Sequence, residues 1–115
     1  MSTPSFDSTI IDGVDVICCP GCGHEFTHHR SVEIWARPED SPTGLHITVD
    51  GVDSDPKMEV VTSLRGNPST RRNAVAITFS CENCLDLSKL TISQRKGLEI
   101  VSFHKCGELN LHKEN

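Results

Sequence analysis

Apolar and polar residues alternate along much of the chain with the two-residue period of half-buried β-strands. The run LHITVD places Leu45, Ile47 and Val49 on one face and polar side chains on the other. The run AVAITFS at 74–80 repeats this pattern and ends directly before Cys81. No segment carries a convincing apolar stripe of helical period, although a short helix within 89–96 stays open. The pattern predicts strands at 30–37, 45–50, 58–64, 74–80, 85–93 and 98–104, and residues 14–17 could add a short strand that enters the first cysteine cluster.

These strands are short and are joined by turn-forming segments, which is typical of all-β proteins. We therefore predict an all-β, antiparallel meander of five to six short strands. The run 85–93 changes phase between Leu87 and Leu90, and a bulge near 88–89 would return both residues to one face. Residues 1–13 are predicted to be a flexible lead-in, 14–106 a single domain and 107–115 a polar tail.

The composition leaves this domain with little material for a core. Hydrophobic residues make up 36% of the 115 residues, and the aromatic residues are four Phe and one Trp. Six cysteines accompany this lean composition. Small domains with thin cores are commonly held by disulfides or by a metal. The chain shows no secretory signal pattern and no apolar run of membrane-spanning length, so we expect a cytoplasmic protein with reduced thiols and no membrane partner.

Two C-x-x-C pairs give four of these cysteines a common chemistry. The first is Cys19-Pro-Gly-Cys22, followed by Gly23, and the second is Cys81-Glu-Asn-Cys84. Each short turn can direct two sulfurs inward, and two such knuckles supply the four thiolates of a structural zinc site. The interval of 58 residues between the pairs suits a zinc-ribbon-like fold, in which strands fill the gap and the chain returns to close one Zn²⁺ site.

Other interpretations of the cysteines and histidines stay open at this stage. The four sulfurs would also suit rubredoxin-like iron, a redox dithiol or disulfides. Cys18 could replace Cys19 as a ligand, whereas Cys106 is expected to be a free thiol. We expect the histidines to be surface or hydrogen-bonded residues, with His24 able to donate to a sulfur from outside the ligand set. The histidines considered are His24, His28, His29, His46 and His104.

The distribution of charge along the chain helps to decide between a protein partner and a nucleic-acid partner. The net charge is −5, and residues 1–64 hold 11 acidic and 3 basic side chains, whereas 65–115 hold 5 and 8. An acidic half argues against general nucleic-acid binding, and the mildly basic half leaves room for a local patch. We expect a protein partner, with DNA or RNA as the alternative. The candidate contact residues are Arg65, Arg71, Arg72, Arg95 and Lys96, together with Trp35 as an exposed anchor or as a core residue.

No catalytic motif accompanies these features. The chain has no G-x-S-x-G, phosphate-binding loop or H-E-x-x-H motif, and a closed four-cysteine site offers no open metal position. We therefore predict a non-enzymatic protein with no small-molecule substrate.

Several runs of the chain resemble a group of small CPxCG-type zinc-ribbon proteins of actinobacteria and their phages or prophages. They are CCPGCGHEFTHHRSVEIWARPED, ITVDG, GNPSTRR, FSCENC and LTISQRKG, within residues 18 to 104. The resemblance implies Zn²⁺ on Cys19, Cys22, Cys81 and Cys84, and an accessory role on a mobile element, in the host cytoplasm. The extra Cys18 departs from the pattern of the group.

Overall fold

The structure is a computed structural model that describes residues 8–51 and 55–108. The described residues form eight β-strands. Their bounds are β1 Ser8–Ile11, β2 Val14–Ile17, β3 Thr27–Ala36, β4 Leu45–Asp50, β5 Lys57–Val61, β6 Ala74–Cys81, β7 Asp86–Arg95 and β8 Leu98–Glu108. No helix within this described part is long and apolar enough to cross a membrane.

The strands form two antiparallel sheets, which confirms the all-β prediction. β1 and β2 make a two-stranded hairpin, and the other six strands form one sheet in the order β5-β4-β3-β6-β7-β8. The order departs from a plain meander at one point, because β6 pairs with β3 rather than with β5. This crossover places the start of β3 beside the end of β6, where Thr27 faces Cys81.

Two hairpins have the turn geometry that their sequences favour. Asp12 and Gly13 join β1 to β2 with φ of 52° and 80°, and Lys96 and Gly97 join β7 to β8 with φ of 53° and 79°. Positive φ at both central residues matches the right-handed twist of the flanking strands. Residues 8–13 are therefore part of a hairpin rather than of the predicted lead-in, whose residues 1–7 lie outside the described residues. At the other end, β8 reaches Glu108 and includes the first two residues of the predicted tail. Residues 109–115 of that tail lie outside the described residues.

The predicted bulge in β7 is wrong. The register between β6 and β7 runs unbroken from Ala74–Ser93 to Ser80–Leu87, so Leu87 lies on the opposite face from Leu90. The irregularity falls on β8, where two residues span one step of β7 and Cys106 is the extra residue. Cys106 therefore lies within the last strand, not beyond it.

One face of the large sheet carries the small core. Trp35 on β3 packs with Ala74 and Ala76 of β6, and all three are buried. Residues 62–73 cover this face: the Trp35 Nε1–H donates to the Arg65 carbonyl at 3.1 Å, and the buried Ser69 hydroxyl donates to the Gln94 carbonyl at 2.6 Å. The two alanines leave room for the indole ring.

The opposite face, which we call the apolar face, is made almost wholly of aliphatic side chains. Cross-strand pairing aligns two rows of six residues, because paired residues point to the same side of a sheet. Met58 is 71% exposed, Val101 42% and Ile34 38%, so no other described element covers them. The members of the apolar face are Val32, Ile34, Leu45, Ile47, Val49, Met58, Val60, Val75, Ile77, Phe79, Leu90, Ile92, Val101 and Phe103.

Candidate metal centre

The two C-x-x-C knuckles meet at one end of the large sheet. The first knuckle lies between β2 and β3, and the second lies between β6 and β7. Because β3 and β6 are antiparallel neighbours, the segment before β3 and the segment after β6 arrive at the same place. The sulfurs of Cys19 and Cys84 are 3.6 Å apart, as are those of Cys22 and Cys81, and all four lie within 4.8 Å of one another.

The two knuckles have the same backbone conformation. The N–H two residues after the first cysteine donates to its sulfur, from Gly21 to Cys19 at 3.3 Å and from Asn83 to Cys81 at 3.4 Å. The N–H four residues after that cysteine donates to its carbonyl, at 2.8 Å in the first knuckle and 3.2 Å in the second. The donors of this last bond are Gly23, with φ of 80°, and Leu85, with φ of 63°.

This repeated conformation explains why Gly23 follows the first knuckle, and it shows that Leu85 is an unusual residue at the same position of the second. A left-handed residue is required at the fifth position of each knuckle, and glycine adopts it without steric cost. Gly23 meets the requirement, as its position after Cys22 predicts. Leu85 fills the equivalent position with a bulky side chain, so the second knuckle holds a strained residue next to the cluster.

Hydrogen bonds from N–H groups lower the pKa values of the thiols, whereas burial raises them. The Asn83 side-chain amide donates to the Cys22 sulfur at 3.5 Å and, with the His24 N–H, lowers the pKa of Cys22 to about 6. Burial raises the pKa of Cys19 and of Cys84 above the ordinary value of 9.0, although backbone N–H groups donate to both sulfurs. Four clustered thiolates repel one another, and a bound cation would remove that repulsion.

The cluster fits a tetrahedral metal ion. Zn–S bonds of about 2.3 Å place tetrahedral sulfurs about 3.8 Å apart. The two shortest sulfur separations, at 3.6 Å, are near this value, and small shifts would equalise the rest. Four cysteines and six described N–H or amide donors make a closed, thiolate-rich set, which suits a soft or borderline metal better than magnesium or calcium.

The remaining cysteines and the histidines lie outside the cluster. Cys18 is buried with its sulfur 3.8 Å from the Val16 carbonyl, so Cys19 rather than Cys18 joins the four sulfurs. Cys106 is exposed on β8. The His24 ring accepts the Phe26 N–H at 3.2 Å, so the contact of this residue with the cluster comes from its backbone and not from its imidazole.

The other four histidines have neighbours of their own. His46 contacts the Glu33 carboxylate at 3.0 Å and stacks on the Trp35 ring with centroids 4.4 Å apart. His28 pairs with Glu82. His29 meets the Phe79 ring edge-on, and the hydroxyl of Ser102 lies 3.3 Å from a ring nitrogen of His104. Within the described residues they form no second group of metal-ligating side chains.

The prediction of Trp35 as an exposed anchor is wrong. The indole is 2% exposed and hydrogen-bonded, and it stacks on His46. In the sequence it alternates against Val32 and Ile34, which is why it lies on the opposite face from the aliphatic residues. Residues 62–73 close over it, and they include 62–64, which were predicted to continue a strand that ends at Val61 in the structure. Trp35 is therefore a core residue.

Two of the five residues of the predicted basic patch are paired with acidic side chains. Arg71 binds Asp40 through two bonds of 2.7 and 2.8 Å and reaches Glu39 at 3.0 Å. Arg72 also approaches Glu39, at 3.9 Å. The Arg71 guanidinium lowers the pKa of Asp40, and that carboxylate raises the pKa of Arg71. The exposed Arg65, Arg95 and Lys96 are the members without a described ion pair.

Two contributors to the centre were not found from the sequence. Asn83 sits between the cysteines of one knuckle, and its amide reaches Cys22 of the other. Gly21 lies so close to the Asp86 side chain that a Cβ on Gly21 would come within 2.1 Å of the carboxylate oxygen. The glycine in the first knuckle is a local signal, but its partner is 65 positions away and carries no pattern of its own.

The fold and the centre together define a small antiparallel β protein with one four-cysteine cluster able to hold a metal ion. No known protein family, curated protein or solved structure matches the chain. Of the pattern that the sequence shares with CPxCG-type zinc ribbons, the structure shows the four-cysteine cluster and the all-β fold.

Proposed function

We propose that this protein is a zinc-stabilised, non-enzymatic adaptor that acts by binding protein through its apolar face. The observation that carries the proposal is that face: fourteen aliphatic or aromatic residues lie on one side of a six-stranded sheet, and although Phe103 among them is buried, no described strand packs over the others. Exposed apolar areas of this extent are characteristic of interaction sites. The proposal places the protein in the cytoplasm, which would be the host cytoplasm if a phage or prophage encodes it.

Zinc is the metal that the centre suits best. Zn²⁺ commonly takes four cysteines in structural sites, and such sites leave no coordination position for water or substrate. The centre would hold the metal on Cys19, Cys22, Cys81 and Cys84. The metal would stabilise the end of the sheet where β3 and β6 meet. Four cysteine ligands would leave no coordination site on the metal for a substrate. A structural role therefore agrees with a non-enzymatic function.

A protein partner is better supported than a nucleic acid. Phosphate binding depends on basic side chains that are available to exchange counterions. Arg71 and Arg72 instead contact Glu39 and Asp40, and the net charge of the chain is −5. The apolar face offers no positive charge along its two rows, whereas it offers the area that protein interfaces use.

The zinc assignment is tested by metal analysis of the purified chain. We expect one zinc per chain, and we expect chelation to lower the melting temperature markedly because folding is coupled to metal binding. Cys81→Ser should lose zinc and stability, since Cys81 is a buried member of the cluster. Cys106→Ser is the matched control and should behave as wild type, since Cys106 is exposed and outside the cluster. A chain that remains folded and metal-free after exhaustive chelation would contradict the assignment.

The binding function is tested by site-specific photocrosslinking in host cytosol. A photoreactive residue at Val101 lies on the apolar face, and the same residue at Ser102 lies on the opposite face of the same strand. We expect position 101 to crosslink to protein, and position 102 to do so much less. If position 101 forms no protein adduct, the proposed function is wrong.

A further inference from the structure

The apolar face is a broad surface for a chain of this size to leave open. Six strands spaced about 4.8 Å apart give a width of about 29 Å. Its two rows lie two residues apart along each strand, and with their side chains they give a height of about 14 Å. The resulting flat area of about 400 Å² lies within the range of the largest apolar patch on typical monomers, and exposed side chains such as Met58 and Val60 stand out from the plane and add to it.

The core on the other face does not compensate for this exposure. The cluster of buried residues there consists of Trp35, Ala74 and Ala76, whereas side chains such as Ile34, Val49 and Val60 lie 38 to 51% exposed on the apolar face. A sheet normally buries its apolar side against a second layer. The described part of the chain provides one layer here and no second one.

Polar residues bound the apolar face at both ends of its strands. At one end, Asn73, Gln94 and Glu99 form a hydrogen-bonded row: the Asn73 amide donates to Gln94 at 3.2 Å, and the Gln94 amide donates to Glu99 at 2.8 Å. At the other end His29 and Lys105 lie at the outer positions of the row that continues the face, with Phe79 and Ser88 between them. An apolar centre with a polar rim is the anatomy of a protein interface.

We infer that the apolar face is covered by the same face of a second copy of this chain, so that the zinc-loaded protein is a two-fold symmetric β-sandwich dimer. This inference rests on the proposed function and names the partner of the face. Two flat faces of about 400 Å² bury about 800 Å² in total, and side chains such as Met58, Val60 and Val101, which are 42 to 71% exposed, increase this area toward the roughly 1,200 Å² of a specific interface.

The chemistry of the face favours a second copy over another kind of partner. Its two central rows carry no charged side chain, so two copies meet without unpaired charge, and aliphatic side chains can interdigitate in sheets packed about 10 Å apart. A cover for so much apolar surface must be available whenever the chain folds. A second copy meets that condition at any site of synthesis.

Sedimentation analysis of the full zinc-loaded chain over a wide concentration range tests the inference. We expect a mass of about twice 12.6 kDa at micromolar concentration, with dissociation on dilution. The variants Ile34→Lys and Val101→Lys place a charge on the apolar face, and each should raise the dimer Kd by at least about a hundredfold, because an unpaired charge is costly to bury. Ser102→Lys, on the neighbouring position of the opposite face, should leave the Kd within a few fold.

A second measurement keeps the result independent of variant stability. In a dimer mixed from differently labelled chains, methyl groups of Ile34 and Val101 should show nuclear Overhauser contacts to the other copy. A wild-type chain that is monomeric at several hundred micromolar overturns the inference, as does a dimer whose Kd is unaffected by both face variants. A monomer in which these methyls contact another part of the same chain also overturns it.

The crosslinking experiment separates the two proposals. Adducts from position 101 to a copy of this chain support both the function and the dimer. Adducts to a different protein only leave the binding function standing and refute the second copy. The absence of any protein adduct refutes both.

Discussion

The contact between Gly21 and Asp86 gives a sharp test of the metal centre. It predicts that Gly21→Ala lowers the free energy of unfolding when Asp86 is present and leaves it unchanged or raises it when Asp86 is replaced by alanine. A Cβ built on Gly21 lies 2.1 Å from the Asp86 Oδ2 and 3.6 Å from the Cys19 sulfur. Ordinary contact begins near 3.4 Å, so Gly21→Ala requires the carboxylate or the knuckle to retreat by about 1.3 Å. The sulfur itself is not crowded by the added methyl group.

Movement of the carboxylate and movement of the knuckle would each disturb existing contacts. The Asp86 side chain is 13% exposed, its carboxylate lies 3.5 Å from the Lys105 ammonium, and its backbone N–H donates to the Cys84 sulfur. A shift of the knuckle would instead disturb the bond from the Gly21 N–H to Cys19. Overpacking of this kind costs about 1–3 kcal/mol. We therefore expect Gly21→Ala to lower the free energy of unfolding by this amount in zinc-replete buffer.

Removal of the opposing carboxylate should reverse the effect. Gly21 does not have a positive φ, so alanine can adopt its conformation once space is available. In an Asp86→Ala background, Gly21→Ala should then be neutral or stabilising by up to about 1 kcal/mol, because alanine restricts the unfolded chain. The coupling energy between the two sites should be about 1–3 kcal/mol.

Denaturant unfolding of the four chains of this double-mutant cycle, with zinc content measured on each, supplies the numbers. Gly51→Ala is the control, since a Cβ there meets nothing within 4 Å and the residue does not have a positive φ. If Gly21→Ala costs the same free energy in both backgrounds, the proposed clash with Asp86 is not the reason for the glycine.

Three further predictions address the core, the ion pairs and the first knuckle. Trp35→Phe should cost about 1–3 kcal/mol in denaturant unfolding, because it leaves the Arg65 carbonyl without its indole donor; an effect near zero would contradict this role for the bond. Arg71→Ala should raise the Asp40 pKa, followed by carboxyl NMR, toward 3.8, while Arg37 and Arg72 continue to lower it. Since the pair lowers that pKa, its contribution to stability is present above pH 3.8 and is lost as the pH falls and Asp40 is protonated. An unchanged midpoint would refute the pairing. Gly23→Ala should destabilise the zinc form by about 1 kcal/mol because of its φ of 80°, and equal stability in unfolding experiments would show that the knuckle relaxes.

The local strand pattern was predictable because alternation reports the face of each side chain. The strand predicted at 45–50 is β4, and the strand predicted at 74–80 ends at the cluster as β6 does. Alternation does not specify which strands pair. Neither β5 nor β6 carries a signal that β6 should cross to β3, yet this pairing is what brings the two knuckles together.

The cysteines were predictable from spacing, whereas the contacts that surround them depend on the fold. A C-x-x-C turn presents its own sulfurs and backbone donors, so the members of the cluster could be named in advance. The amide of Asn83 reaches a sulfur 61 positions away, and Arg71 finds its acidic partner 31 positions away. Such polar contacts follow from tertiary proximity and leave no periodic trace in the sequence.

The metal centre and the apolar face are both related to the small size of the hydrophobic core in the described chain. Many of the aliphatic residues of this chain lie on a face that the described monomer leaves exposed, so their burial contributes fully only when a second layer is present. A metal bound by the cluster would stabilise the end of the sheet where β3 and β6 meet, and these two strands also form the centre of the apolar face. Zinc binding and dimer formation should therefore be thermodynamically linked, since each stabilises the pairing on which the other depends. Chelation that weakens the dimer before it unfolds the chain would demonstrate this linkage, whereas a dimer Kd that is independent of zinc would show that the two features act separately.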